Sequence, residues 1–194
     1  MWISLGDSIG YFPDGNEVLN HMREMNCYCV RGNHEQMLLH GEFSINDSQY
    51  QLARQRACLS PANLEWISSW PEYIELRLPS ETKALLVHGS PIDPVNGYIY
   101  HDSIIPDNIA DGYDYLFCGH THRPFTRIAG GTSIYNVGSL GLPRDGTSLS
   151  TCLQFDTLSE KCEFIRQKMD LPAARDKYMG HVHALQLEKI GIQT

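Results

Sequence analysis

The sequence predicts an α/β fold whose strands deliver polar side chains to one place. Short apolar runs alternate with segments of helical periodicity over the first two thirds of the chain. Four of the runs stop in a cluster of Gly, Asp, Asn or His: Gly6-Asp7, Gly32-Asn33-His34, His88-Gly89 and Gly119-His120-Thr121-His122. The later segments alternate like antiparallel strands. In an α/β sheet the carboxyl ends of the strands lie along one edge, where ligands bind. Four such clusters along one edge make one site.

Residues 2–5 read as a buried strand ending in Gly6-Asp7, followed by a loop with Pro13. Val18, Leu19, Met22 and Met25 then recur at helical spacing, with Asn16 as the N-cap. Residues 27–30 form the next strand. Residues 35–70 are mostly helical, and Ser60-Pro61 starts the last of these helices because proline suits the first helical position. Strands are predicted at 73–78, 83–87, 115–118, 133–137, 150–155 and 162–166, and a closing helix at 173–187.

Composition narrows the function. The 194 residues fit one domain, with 42% hydrophobic and 20% charged residues. No run approaches the roughly 18 apolar residues of a membrane span, and the first residues carry no basic leader, so the expectation is cytoplasmic with no membrane partner. The net charge of −8 argues against binding a nucleic-acid backbone. An anionic substrate stays open, because a bound metal inverts the local field. Six cysteines form no C-x-x-C pair and read as reduced thiols packed as small hydrophobes.

Each cluster has its own chemistry. Asp7 could bridge two cations or cap a turn. Asn33 could give a metal its carbonyl oxygen, while His34, its neighbour in extended chain, faces the other way. His88 stands alone after Leu85-Leu86-Val87, and a lone histidine is more often structural. His120 and His122, two apart in extended chain, face one side and suit one ion or two adjacent ones. His21, His181 and His183 fall on predicted helices, and His40 and His101 in unplaced segments; none is read as a ligand.

Taken in order, Gly6-Asp7, Gly32-Asn33-His34-Glu35, His88-Gly89 and Gly119-His120-Thr121-His122 resemble the calcineurin-like metallophosphoesterase family, over residues 3 to about 145. Val87-His88-Gly89-Ser90-Pro91, Thr121-His122-Arg123-Pro124-Phe125 and the stretch from Asn136 through Gly138-Ser139 to Arg144 are similar to its small prokaryotic phosphodiesterase branch. The resemblance implies a four-layer β-sandwich flanked by helices and hydrolysis of a small-molecule phosphoester by two divalent metals. It makes Asp7 the bridging ligand. Asn33, His88 and His120 complete one site, His122 belongs to the other, and His34 is the general acid and transition-state stabiliser. Mn, Fe, Zn, Co or Ni would suit such N/O ligands. Arg31, Arg123 and Arg144 are candidate phosphate contacts. Residues 43–73, with Tyr50, Trp66 and Trp70, could form part of a wall near the site, or equally core or surface.

The family begins with an Asp-x-His motif ahead of Gly-Asp, and none precedes Gly6. The resemblance therefore implies a single, N-terminally incomplete domain over 1–194, without the first strand. Such a chain would be impaired as an enzyme, hold one metal firmly and a second poorly, and self-associate through unpaired strand edges. Alternatives are a non-catalytic scaffold that binds protein partners, and a second chain that supplies the absent ligands.

Overall fold

The structure is a computed structural model that describes residues 1–43 and 47–193. The first half runs β1 (Ile3–Ser4), α1 (Gly15–Glu24), β2 (Tyr28–Cys29), α2 (Asn33–His40), α3 (Asp47–Tyr50), α4 (Leu52–Cys58) and α5 (Pro61–Ser68). Ser60 caps α5, its hydroxyl accepting from the Asn63 amide at 3.2 Å. Asp14, not Asn16, occupies the N-cap position of α1. Asn16 lies one residue inside the helix, and its side chain ties the α4–α5 junction by bonding Cys58, Ser60 and Asn63. An Asn at a helix start serves either purpose, and sequence does not separate them.

The second half runs β3 (Tyr73–Arg77), β4 (Lys83–Val87), β5 (Tyr115–Cys118), β6 (Phe125–Ala129), β7 (Thr132–Asn136), β8 (Leu149–Asp156), β9 (Lys161–Lys168), α6 (Leu171–Tyr178) and α7 (Ala184–Lys189). Strand β6 goes beyond the predicted elements. Its signal is the pair Gly130-Gly131, both at positive φ, which joins it to β7 in a two-residue hairpin. The closing helix is two helices. Gly180 sits at φ 78° in the break, and His183 caps the second, accepting from Leu185.

The strands form two layers. One is a continuous sheet in the order β3-β4-β5-β7-β6, parallel across β4, β5 and β7. The other consists of two separate pairs, parallel β1-β2 and antiparallel β8-β9. Both pairs pack on the same face of the five-stranded sheet: Leu5 and Val30 from the first, with Leu153 and Phe155 from the second, against Ala84, Leu86 and Phe117. Among the described residues, no strand pairs with the other edge of β1 or of β8.

The four cluster-bearing strands are therefore divided between two layers rather than set along one sheet edge. Their ends still meet. A Cβ placed on Gly119, after β5, would lie 3.7 Å from Leu5, at the end of β1. Helices α1, α2, α4 and α5 cover the outside of β1-β2 through Leu19, Met22, Leu38, Leu52 and Ile67. On the far face of the five-stranded sheet, irregular chain supplies the cover, with Ile99 and Ala110 buried against Leu116 and Ile134. All six cysteines are free. No described helix is long and apolar enough to cross a membrane.

Candidate metal centre

Asp7 stands where two loops nearly touch. Gly6 is at φ 85°, and a Cβ there would come within 2.5 Å of the Gly32 backbone, so only glycine fits. Asp7 itself is at φ 54°, an uncommon conformation for a non-glycine residue that surrounding contacts must hold. Those contacts come from Glu35, a fully buried carboxylate. Its Oε2 accepts from the amides of Asp7 and Gly32, both at 2.9 Å, and its Oε1 from Ser8 at 2.7 Å. One side chain thus clamps the loops after β1 and β2. Asp7 Oδ1 in turn accepts from the His34 amide at 3.1 Å, at the start of α2.

Asn33 and His34 are the first residues of α2, not part of an extended segment. Their side chains are therefore about 100° apart around a helix, and both reach towards Asp7. The oxygen end of the Asn33 amide lies 3.1 Å from His88 Nε2 and 3.2 Å from His120 Nε2 and from each Asp7 oxygen. His88 Nε2 lies 3.4 Å from Asp7 Oδ2.

His88, His120 and His122 share one feature. Each places Nδ1 against a backbone carbonyl: Leu5 at 2.6 Å, Gly97 at 2.8 Å and Leu142 at 2.7 Å. A carbonyl only accepts, so Nδ1 carries a proton, and the ring when neutral presents the Nε2 lone pair. His34 is held likewise by Ile9 at 2.9 Å, with its Nε2 3.9 Å from Asp7 Oδ2. The extended chain expected for His120 and His122 is not found. Both are left-handed, at φ 63° and 58°. Asn136 and its neighbours support that turn: Asn136 Nδ2 donates to the Gly119 carbonyl at 2.6 Å, and Ser139 Oγ accepts from Leu142, whose carbonyl holds His122.

These atoms fit a cation. With the Asn33 carbonyl turned inward, four acceptors surround a fifth and no proton lies between them. A reversed amide could offer two protons; a cation would satisfy every acceptor at once. Donors bound to one ion at about 2.0–2.2 Å stand about 2.8–3.6 Å from each other, which brackets the distances here. Among the described residues, no three His, Cys, Asp or Glu side chains form such a group by themselves. The Asn33 carbonyl is what closes the set.

Electrostatics divide the imidazoles around an anion: burial would lower His88, but Asp7 outweighs it and raises that ring above the ordinary histidine range. Burial pushes the Asp7 carboxyl up, but His34 and His88 outweigh it and hold it well below the usual range. Burial and His88 lower His120 to about 4; burial and Arg144 lower His122 to about 4.

Around this centre, Tyr11 and Tyr50 pack on the His34 ring at 4.8 and 5.0 Å. Gly10 makes room for it, since a Cβ there would sit 2.1 Å from His34 Nδ1. Arg144 donates to the Tyr11 hydroxyl at 2.7 Å, and its Nε is buried with no described partner. Arg31 is structural, bonding the Ser68 and Trp70 carbonyls, and Arg123 is exposed. Trp66 and Trp70 belong to the helical core and Tyr50 to the site's surroundings. His181 and His183 lie between helices rather than on one. Sequence reasoning missed the roles of Glu35 and Tyr11 and the position of Tyr98, whose ring lies 3.8 Å from that of His120. Glu35 alone had a signal, being third in a helix that opens on Gly32.

Residues 2–160 match the model of the calcineurin-like phosphoesterase superfamily domain. The uncharacterized protein MJ0912 of Methanocaldococcus jannaschii is 29% identical over 192 residues, covering 89% of this chain and 78% of that protein. Two crystal structures share the fold. The metallophosphoesterase of Sphaerobacter thermophilus aligns with TM-score 0.78 and 23% identity, over 97% of this chain and 86% of its own. The hypothetical protein PH1004 of Pyrococcus horikoshii aligns with TM-score 0.79 and 19% identity, over 99% and 85%. The chain belongs to the calcineurin-like phosphoesterase superfamily.

Proposed function

We propose that this member of the superfamily is a metal-dependent phosphoester hydrolase domain acting on small molecules in the cytoplasm. One observation carries the reading: one end of the Asn33 amide converges with Asp7, His88 and His120 within 3.1–3.2 Å, with both imidazoles tied through Nδ1. Asp7, Asn33, His88 and His120 would hold one divalent ion, drawn from Mn, Fe, Zn, Co and Ni. Asp7 and His122 would contribute to a second, weaker site. Such ions polarise a phosphoryl oxygen and lower the pKa of water at neutral pH.

The chain's own residues do the rest. Asn33 ligates without adding charge, so Asp7 remains the one anion among these ligands. His34, packed between Tyr11 and Tyr50, holds a proton at Nε2 when charged and gives it to the leaving oxygen. Arg144 places a cation beside the centre to meet the phosphate charge.

Manganese titration tests the reading. One ion binds firmly and a second weakly; two tightly held ions, or none, would contradict it. Asn33→Ala weakens the firm site at least tenfold, whereas His34→Ala leaves metal content unchanged. Hydrolysis of bis-nitrophenyl phosphate is slow in this chain and rises by orders of magnitude once a strand ending in Asp-x-His is added at the amino end. In that extended form His34→Ala lowers turnover about 10²-fold or more.

A non-catalytic scaffold is the second reading. The observation in its favour is the edge of β1 with which no described strand pairs, next to the exposed Trp2. An extended form that binds two metals and still hydrolyses no phosphoester would make it the better one.

A further inference from the structure

Four rings form a run from the buried centre to the surface. His88 lies 4.5 Å from His120, His120 lies 3.8 Å from Tyr98 at 25°, and Tyr98 lies 5.8 Å from Tyr100 at 3°. The two imidazoles are buried, while Tyr98 and Tyr100 are 51% and 40% exposed. Two near-parallel aromatic rings thus stand half in solvent at the mouth of the candidate metal centre.

Their placement is enforced. The carbonyl of Gly97, next to Tyr98, accepts from His120 Nδ1 at 2.8 Å, so the loop and the histidine move together. Gly97 is wedged against Ser90 and Asp93, where a Cβ would meet the Ser90 hydroxyl at 2.2 Å. Beyond the pair, the Tyr100 amide donates to Ser103 Oγ at 2.9 Å, and Arg127 donates to the carbonyls of His101 and Ser103 at 2.9 and 2.7 Å. A rigid, half-exposed aromatic pair leaves apolar surface in water, and a flat ligand would cover it without an ordering cost.

We propose that Tyr98 and Tyr100 form a stacking platform for the base of a nucleotide whose phosphate lies at the metal centre. The inference rests on the phosphoesterase reading and deepens it: the site prefers phosphoesters of nucleosides to those of alkyl alcohols. Stacking on an aromatic side chain gains a base about 5- to 160-fold in affinity. The platform makes no directional contact that would separate one base from another, so all four bases gain.

The test measures binding rather than turnover. The manganese-loaded full chain is titrated calorimetrically with AMP, ribose 5-phosphate and phenyl phosphate. AMP is expected to bind at least about 5-fold more tightly than ribose 5-phosphate. Tyr100→Leu, at the ring that stacks on Tyr98 rather than on His120, reduces that advantage without changing ribose 5-phosphate affinity, and Tyr100→Phe restores it. Equal affinity of AMP and ribose 5-phosphate overturns the platform and leaves the metal centre standing. A gain for phenyl phosphate alone overturns the assignment to nucleotides. Failure of AMP to bind while manganese is retained overturns the platform as well. Failure to retain manganese at all overturns the metal centre beneath it.

Discussion

The two strand layers are built from similar residues and end in similar clusters, yet they are held together differently. In the five-stranded sheet, β4, β5 and β7 have a neighbour on each side, and both faces are covered. In the opposing layer, β1 and β8 each pair with one described strand, and the two pairs meet through the side chains beneath them. The difference divides the candidate centre. His88 and His120 extend from the continuous sheet, whereas Asp7 and Asn33 extend from the pair. Glu35 is the device that makes the weaker half precise. It replaces missing ladder bonds with three bonds from a buried carboxylate to Asp7, Ser8 and Gly32.

Hydrogen exchange should separate the layers most widely. The amides of Leu116 and Phe117 lie between paired strands. Those of Ile3, Leu153 and Phe155 point to the open edges, by alternation with the bonds that β2 and β9 receive. The open-edge amides should exchange orders of magnitude faster. Equal protection would mean that something covers those edges in solution.

Core deletions sharpen the contrast. Ile134→Ala, fully buried in the continuous sheet, should cost about 2–5 kcal/mol in urea unfolding. Ile3→Ala, partly buried in β1, should cost about 1 kcal/mol. Similar costs would make the split layer as well packed as the whole one.

Glu35→Gln tests the clamp. It keeps the shape, but its amide nitrogen cannot accept from the loop N–H groups. Manganese affinity should fall about 10- to 100-fold, as for other residues that orient ligands. An unchanged affinity would mean that Asp7 is positioned by its own loop. The smallest effect concerns the edges themselves. The chain should self-associate weakly in sedimentation through β1 or β8, and a concentration-independent monomer would count against it.

The sequence by itself determined the ends of two central strands and the order of the polar clusters. The strands at 83–87 and 115–118 fall where apolar runs meet His88 and Gly119, because burial on both faces leaves an unbroken hydrophobic run. It also determined the superfamily, since the clusters recur in a fixed order. What only the tertiary structure decided is how the chain turns at each cluster. Asn33 and His34 enter a helix, and Asp7, His120 and His122 take left-handed conformations that these residue types tolerate but do not select by themselves. Contacts distant in sequence impose them: Glu35 on Asp7 across 28 residues, and Asn136 on the Gly119 turn across 17. The division of the strands between layers and the approach of Tyr98 to His120 are equally non-local. A pattern of apolar residues says which face is buried, but not which other face it will be buried against.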